Sequence, residues 1–291
     1  MRILNFGSLN IDYIYRVDHI AGPGETLAAT SRQVFCGGKG LNQSIALAKA
    51  GAEVFHAGCI GEEGAFLQSA LEEAGVDCRY VKTVQSASGH AMIQVEESGQ
   101  NSILLFGGAN QAITEDLINE VLAGFKAGDI LLLQNEINMM GDIVEQAYAR
   151  GMKIALNPSP FNDRLKDVDL HKISILLLNE IEGAQITGER DPEEILQKLV
   201  DLYPQAEVVL TLGEAGAVYA HGAERCHQPA YAVTPVDTTG AGDTFTGYFL
   251  AALMEGRETA ACLDLAAKAA AIAVTRSGAA PSIPQRCEVE V

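Results

Sequence analysis

The chain has 291 residues, with 38 Asp and Glu against 20 Lys and Arg, a formal charge of −18, and 48% hydrophobic against 20% charged residues. That composition excludes a disordered or fibrous chain, and a fold of this length buries roughly three-quarters of its unfolded surface without disulfide staples. The basic residues never cluster, so the electrostatic footprint that nucleic acid requires is missing.

Six cysteines, Cys36, Cys59, Cys78, Cys226, Cys262 and Cys287, form no C-x-x-C pair and show no zinc-ligand spacing. They read as reduced thiols of a cytoplasmic protein. The opening MRILNFGSLNID is broken by Asn5, Ser8, Asn10 and Asp12, and does not read as a signal peptide. The most apolar stretch, 260 to 274, carries Asp264 and Lys268 and is too short to span a bilayer, so no membrane is expected as a partner.

In chain order, the first element of note is the segment 12 to 36, which pairs in character with 88 to 107. The latter, HAMIQVEESGQNSILLF, alternates around a Ser98-Gly99-Gln100 turn. Alternation marks strands with one wet face joined as a hairpin, so a small β flap over a main sheet is expected. The alternative is that these are extra edge strands of that same sheet.

Between them lies Gly37-Gly38-Lys39-Gly40-Leu41-Asn42-Gln43, leading into a helical run from Ser44 to Ala50. Flexible backbone, one cation and two amides at a helix start suit directional hydrogen bonds to a polyhydroxylated ligand. It is not a Walker A loop, because Gly40 follows Lys39 and no glycine sits five positions before Gly38. A glycine-rich turn with a surface lysine is the alternative.

From residue 110 onward, apolar runs at 130 to 134, 153 to 157, 173 to 179 and 207 to 213 alternate with helical spacing at 114 to 124, 139 to 150 and 191 to 202. Continuous apolar runs are strands buried on both faces, and each parallel neighbour needs a crossover helix, so a doubly wound parallel sheet is predicted. In such a sheet ligands collect at the carboxyl ends of the strands. Gln134-Asn135-Glu136, Asn157-Pro158-Ser159-Pro160, Asn179-Glu180-Ile181-Glu182 and Thr211-Leu212-Gly213 stand at those ends. Asn179 and Glu182 suit water-mediated Mg²⁺ contacts, although Glu182 could equally be an ordinary first-turn carboxylate.

The most informative stretch is Asp237-Thr238-Thr239-Gly240-Ala241-Gly242-Asp243, followed by helical pattern from Phe245 to Met254. Glycines at a helix start let backbone N–H groups crowd around an anion. A carboxylate repels the phosphate that such a cradle attracts, so Asp243 needs a task there: a general base in phosphoryl transfer, or simply a helix cap.

Together these residues resemble the ribokinase family of carbohydrate kinases, the PfkB-type kinases, along essentially the whole chain. Gly7-Ser8-Leu9-Asn10-Ile11-Asp12, the Gly-Gly-Lys-Gly-x-Asn-Gln run, Asn179-x-x-Glu182 and the highly specific Asp-Thr-Thr-Gly-Ala-Gly-Asp follow the family's order. Val274-Thr275-Arg276-Ser277-Gly278 to Pro281-Ser282 adds to the match. The resemblance implies a single ribokinase-like α/β domain over 1 to 291, with a mostly parallel sheet flanked by helices. Lid segments at approximately 12 to 36 and 88 to 107 would be inserted in it.

It also implies transfer of the γ-phosphoryl of ATP to a sugar's primary hydroxyl, with ribose giving ribose 5-phosphate and ADP. By the same resemblance Asp243 is the catalytic base, and the N–H groups of Gly240, Ala241 and Gly242 form the anion hole. Asn10, Asp12, Gly38, Lys39, Asn42 and Glu136 hold the sugar. Asn179, Glu182, Thr211, Gly213 and Gly242 meet nucleotide, with Mg²⁺ reached from Asn179 and Glu182. Asp237, Thr239, Val274, Gly278 and Ser282 match the site of a monovalent cation, usually K⁺. The family's flap covers the sugar and often pairs with a second subunit, so a homodimer through the lid is implied.

Three features depart from the family pattern. Asn135 stands where an apolar residue is expected, Cys36 stands where an aromatic is common, and a final helix is expected to be short or missing. The first two put the sugar in question rather than the reaction, leaving kinases of deoxyribose, fructose or a nucleoside as alternatives. Asp12 with the glycine-lysine run favours a small furanose. A non-catalytic sensor would be expected to have lost Asp243 or the glycines. A dinucleotide-dependent oxidoreductase fails because Gly22-Pro23-Gly24 lacks the third glycine and the helix after it.

Overall fold

The computed structural model describes residues 1 to 290. Its first strand, β1 (Ile3–Phe6), is buried at every position, as a strand covered on both faces must be. The chain then leaves the main sheet for β2 (Asn10–Arg16) and β3 (Ser31–Gly37), and returns through helix α1 (Lys39–Lys49). β4 (Val54–Ile60), α2 (Ala65–Glu73) and β5 (Asp77–Thr83) extend one flank. β6 (Gly89–Val95) and β7 (Asn101–Phe106) form the expected hairpin.

Alternation follows through α3 (Glu115–Leu122), β8 (Ile130–Gln134), α4 (Met140–Ala149), β9 (Lys153–Asn157) and β10 (Ile175–Asn179). It continues through α5 (Glu180–Thr187), α6 (Pro192–Leu202) and β11 (Glu207–Thr211). A hairpin of β12 (Ala217–His221) and β13 (Glu224–Gln228) precedes α7 (Ala241–Met254), α8 (Thr259–Ala273) and a four-residue α9 (Arg286–Val289), so the last helix is short as expected.

Nine strands form one sheet in the order β13-β12-β11-β10-β9-β8-β1-β4-β5, all parallel except for the antiparallel β11-β12-β13 edge. The chain runs outward from β1 to β4 and β5, then restarts on its other side at β8. Strand order therefore reverses beside β1, and this reversal opens a crevice at the carboxyl ends. β2, β3, β6 and β7 form a second sheet in the order β3-β2-β6-β7 rather than extra edge strands of the first. The one-wet-face expectation is exceeded in β7, where all six residues are exposed.

Side chains alternate between two apolar layers. Ile3, Ile130 and Leu132 face α1, α2, α7 and α8, while Leu4, Phe6, Leu131 and Leu133 face α3, α4 and α6. Each such fully buried side chain contributes about 1.5–3 kcal/mol. Local signals fix the helix ends: Thr114 caps α3, and Asp191 with Pro192 opens α6.

Helices α1 and α7 both begin earlier than their apolar spacing indicates, at Lys39 rather than Ser44 and at Ala241 rather than Phe245. The glycine-rich runs are thus their first turns, because glycine lacks a Cβ and fits where the backbone lies against other elements. The two helices cross in close contact at Gly247, where a Cβ would lie 2.4 Å from Ala46 Cβ and 2.8 Å from Leu47 N. One turn before this contact lie Asn42 and Gln43 on α1 and Asp243 on α7.

Candidate active site

The rim begins where β1 ends. Ser8 Oγ receives the Gly40 N–H at 3.1 Å and donates to Glu136 Oε2, which also accepts the Lys39 N–H at 3.1 Å. A Cβ on Gly40 would meet Ser8 N at 2.3 Å, so only glycine allows the α1 start to press on this turn. Burial pushes the Glu136 carboxyl above its usual range against the pull of Lys39, Ser8 and the Lys39 amide. For Lys39, burial lowers the pKa, but the charges of Asp243, Glu136 and Glu182 outweigh it and hold the ammonium above its ordinary value.

The second sheet supplies the other wall. Asn10 pairs in register with Gly37 and Asp12 with Phe35, so both side chains lie over the α1 entry. Asp12 packs on Gly37, where a Cβ would fall 2.1 Å from its Oδ2. Burial, then the nearby charge of Glu136, raises the Asp12 pKa to about 7. Asn10 is held by a residue that sequence reasoning missed: Asn110 accepts the Leu9 N–H at 2.9 Å and donates to Asn10 Oδ1 at 2.7 Å. Asn10 therefore turns its own NH₂ group away from Asn110. Asn110 sits in a short 3-10 turn (Gly108–Gln111) after β7 with no motif around it, and only its burial marks it.

Asp243 lies in the first turn of α7, and the cap of that helix is Gly240 at φ 75°, so the capping alternative for Asp243 is not realised. Its two oxygens are gripped separately: Asn42 Nδ2 donates to Oδ2 at 2.9 Å and Gln43 Nε2 to Oδ1 at 2.9 Å. The amides expected to face a ligand thus face Asp243, while Asn42 Oδ1 remains buried without a protein partner. In the adjoining loop Ala241 N–H makes a long 3.3 Å bond to Thr238 O. Among the described residues the N–H groups of Gly240 and Gly242 have no such partner.

Two cavities meet at this loop. One of about 230 Å³ is lined by Lys39, Asn179, Glu182, Gly240 and Asp243. The other, about 600 Å³, is lined by Gly213, Tyr231, Val233, Ala271 and Val274. Thr211, Thr238, Gly242 and Phe245 line both, so the two adjoin. The smaller holds charge and the larger is mostly apolar, the division that a triphosphate and a base require.

Both readings of Glu182 meet here. Asn179 Oδ1 accepts the Glu182 N–H at 2.9 Å and Glu182 Oε2 accepts the Asn179 N–H at 3.1 Å, a reciprocal cap of α5. Both residues line the smaller cavity. No group of three carboxylate, His or Cys side chains suited to a metal occurs among the described residues. The donor set therefore fits Mg²⁺ only as an ion that keeps its waters and is shared with phosphates.

Behind the loop, Asp237 joins two segments. Its Oδ1 accepts from Thr239 N–H at 2.9 Å and Thr239 Oγ1 at 2.6 Å, and its Oδ2 accepts from Gly278 N–H at 2.8 Å. Burial opposes ionisation of Asp237, but these hydrogen bonds outweigh it and hold the pKa below the usual value. Ser282 is fully buried and donates to Ala279 O at 2.7 Å. Val274 O already accepts two N–H groups, from Val236 at 2.7 Å and Asp237 at 3.2 Å, which leaves it the poorest ligand of the five. Carboxylate, hydroxyl and carbonyl oxygens without sulfur or nitrogen fit a hard monovalent cation.

The two departures lie close to this site. Asn135 donates to Pro160 O at 2.7 Å and so ties the β8 rim to the β9 rim, which no apolar residue could do. Cys36 pairs with Ile11 in the second sheet.

Charged groups around one carboxylate at a helix start, with residues whose N–H groups are unpartnered lining the adjoining cavities, define a phosphotransferase acting on a hydroxyl acceptor. Residues 2–286 match the pfkB family carbohydrate kinase profile. The chain is 36% identical to the ribokinase of Haemophilus influenzae, across 97% of this chain and 95% of that one. It is also 36% identical to the Bacillus subtilis ribokinase, across 98% and 96%. The solved structure of Arabidopsis thaliana ribokinase complexed with ribose and ATP superimposes with a TM-score of 0.89 at 32% identity, covering 99% and 97% of the two chains. The chain belongs to the pfkB family of carbohydrate kinases, and its fold is the ribokinase fold with a separate lid sheet. No helix among the described residues is long and apolar enough to cross a membrane.

Proposed function

We propose that the protein transfers the γ-phosphoryl group of ATP to the primary hydroxyl of ribose, giving ribose 5-phosphate and ADP. The observation that carries this reading is Asp243, gripped through both oxygens by amides of α1 and standing beside the free N–H groups of Gly240 and Gly242. The near-full-length likeness to ribokinases, one of them bound to ribose and ATP, supports the choice of sugar.

In this reading Asp243 accepts the proton as the hydroxyl attacks, and the cradle of Gly240, Ala241 and Gly242 stabilises charge on the transferring group. Ala241 joins the cradle by giving up its long bond to Thr238 O. Asn10 donates to the sugar through the NH₂ that Asn110 leaves outward, while Asp12, Glu136 and Asn42 Oδ1 accept from hydroxyls and Gly38 lets them approach. Lys39 bridges the sugar and phosphate ends. Thr211, Gly213 and Gly242 meet the nucleotide. Mg²⁺, when bound through water to Asn179 and Glu182, neutralises phosphate charge. Asp237, Thr239, Gly278 and Ser282 would hold K⁺, with Val274 O bracing their loop.

The second sheet serves as the lid of a single α/β domain and excludes water from the transfer. Ile103, Leu104, Leu105 and Phe106, each 53–69% exposed, support pairing with a second copy through that lid. The test is a coupled ADP-release assay with ATP, Mg²⁺ and K⁺ against ribose, deoxyribose, fructose, nucleosides and a sugar-free control. Ribose-dependent turnover is expected. Turnover on deoxyribose alone would move the error to the pocket around Asn10 and Asp12, and no turnover on any sugar would overturn the reading.

A further inference from the structure

A carboxamide can face a partner with either its oxygen or its NH₂, and only its surroundings decide which. Around Gln43 the surroundings decide twice. On one side Asn5 Nδ2 donates to the backbone carbonyl of Gly40 at 2.8 Å. A carbonyl cannot donate, so Asn5 must turn its oxygen to Gln134, and Gln134 Nε2 donates to it at 3.0 Å. The same Gln134 NH₂ donates to Gln43 Oε1 at 2.7 Å, leaving Gln43 with its NH₂ toward Asp243.

On the other side Asn157 Nδ2 donates to the carbonyl of Leu177 at 2.9 Å, which fixes its oxygen toward Gln43, whose Nε2 donates at 3.2 Å. Two backbone carbonyls, in α1 and β10, thus impose one orientation. Maintaining it leaves Gln134 Oε1 buried without a protein partner, a state that costs free energy.

We propose that Gln43 is a positioning residue for the transfer step: its amide, locked from both sides by Gln134 and Asn157, can only donate to Asp243, and so holds that carboxylate as an acceptor in one rotamer. The proposal rests on the reading of Asp243 as the base. The sequence run containing Gln43 points toward ligand, but the side chain reaches Asp243 instead and needs no contact with substrate to act. The charged groups that act on Asp243 are Lys39 and Glu136, with Glu182 acting on Lys39, and none of the three is hydrogen-bonded to the Gln43 side chain.

Three variants test this, each read by kcat, both KM values and the pH profile of kcat. Gln43→Met removes the donor: kcat is expected to fall about tenfold or more with both KM values held within about twofold. Gln43→Glu keeps the shape and the contact with Gln134 but turns an acceptor on Asp243. The two carboxyls then share a proton, and the acid limb of the profile is expected to move up by about one pH unit or more. Gln134→Met leaves the Asn157 lock intact, so a smaller fall in kcat of the same type is expected.

Should either Gln43 variant fail to fold by circular dichroism, the remaining two decide. A folded Gln43→Met with parental kcat, or a folded Gln43→Glu with an unmoved acid limb, overturns the proposal. Asp243→Asn is run alongside: if it keeps near-parental turnover, the base assignment itself has failed, whereas an inactive Asp243→Asn beside indifferent Gln43 variants sinks only the role of Gln43.

Discussion

The two ends of the cleft are built by opposite means. At the proposed sugar end stand charged side chains drawn partly out of water: Glu136 and Lys39 attract one another and Glu136 accepts the Lys39 N–H, while Asp12 faces the like charge of Glu136. At the proposed nucleotide end the larger cavity is walled mostly by Ala, Val and Gly residues, with Tyr231 and Phe245, and reaches Ala241 and Gly242 of the loop. Side chains with buried charge discriminate strongly, because a mismatched ligand leaves them unpaired, while apolar walls and backbone discriminate little. Selectivity of this kinase is therefore expected to reside in the lid and the α1 turn, and the chemistry at the loop where the two ends meet.

The largest effect should come at that meeting point. Asp243→Asn keeps the shape but loses the proton acceptor, so kcat should fall by about 10²–10⁴, with ATP and sugar dissociation constants nearly unchanged by calorimetry. A variant that lost sugar affinity instead would assign Asp243 to the sugar end and break the division. Next in size is Asp12→Ala, which removes a charged acceptor for hydroxyls. The sugar KM should rise by about 10–100-fold with the ATP KM unmoved, the range of a lost charge-assisted hydrogen bond. Movement of the ATP KM alone would mean the ends have been assigned in reverse.

What sequence could and could not reveal follows the same division. Strands β8 to β11 were legible because continuous apolar runs report burial on both faces, and the anion loop because glycines at a helix start have few other uses. Asn42 and Gln43 were legible as polar residues at a helix start, but not as partners of Asp243. That partnership depends on the contact of α1 and α7 at Gly247, and Asp243 lies 200 positions from Gln43, so no local pattern carries it. Asn110 was invisible for the same reason: its partners, Leu9 and Asn10, are a hundred positions away. The early starts of α1 and α7 were missed because propensity counts glycine against helix, while at these two turns close packing requires it.

Acidity sharpens the comparison further. With its pKa raised to about 7, Asp12 is largely protonated at pH 6 in the free protein. Sugar hydroxyls favour the ionised form, so the sugar KM should rise by about tenfold per pH unit below 7, while the ATP KM stays flat. The stability consequence has a definite sign. A carboxyl with a folded pKa above its unfolded value near 3.8 stabilises the fold at low pH and loses that contribution as pH rises through about 7. Asp12→Asn should therefore raise the melting temperature relative to the parent at pH 8 and not at pH 4. Equal shifts at both pH values would show that Asp12 is not the group responsible.

The smallest effect is expected behind the loop, at residues to which no substrate contact is assigned. Asp237 ties the Thr239 turn to Gly278, and Gly240 lies against the next residue, with a Cβ there only 3.0 Å from Ala279 Cβ. A cation held by Asp237, Thr239, Gly278 and Ser282 would thus act on the cradle only by setting its shape. Replacing K⁺ by Na⁺ should lower kcat severalfold, without moving the sugar KM, and Asp237→Asn should remove the difference between the two ions. The ordering matters more than the size. If the ion exchange changed the sugar KM as strongly as Asp12→Ala does, the cation would be acting on the sugar end directly. The separation of a charged, selective end from a permissive one would then fail at the loop meant to join them.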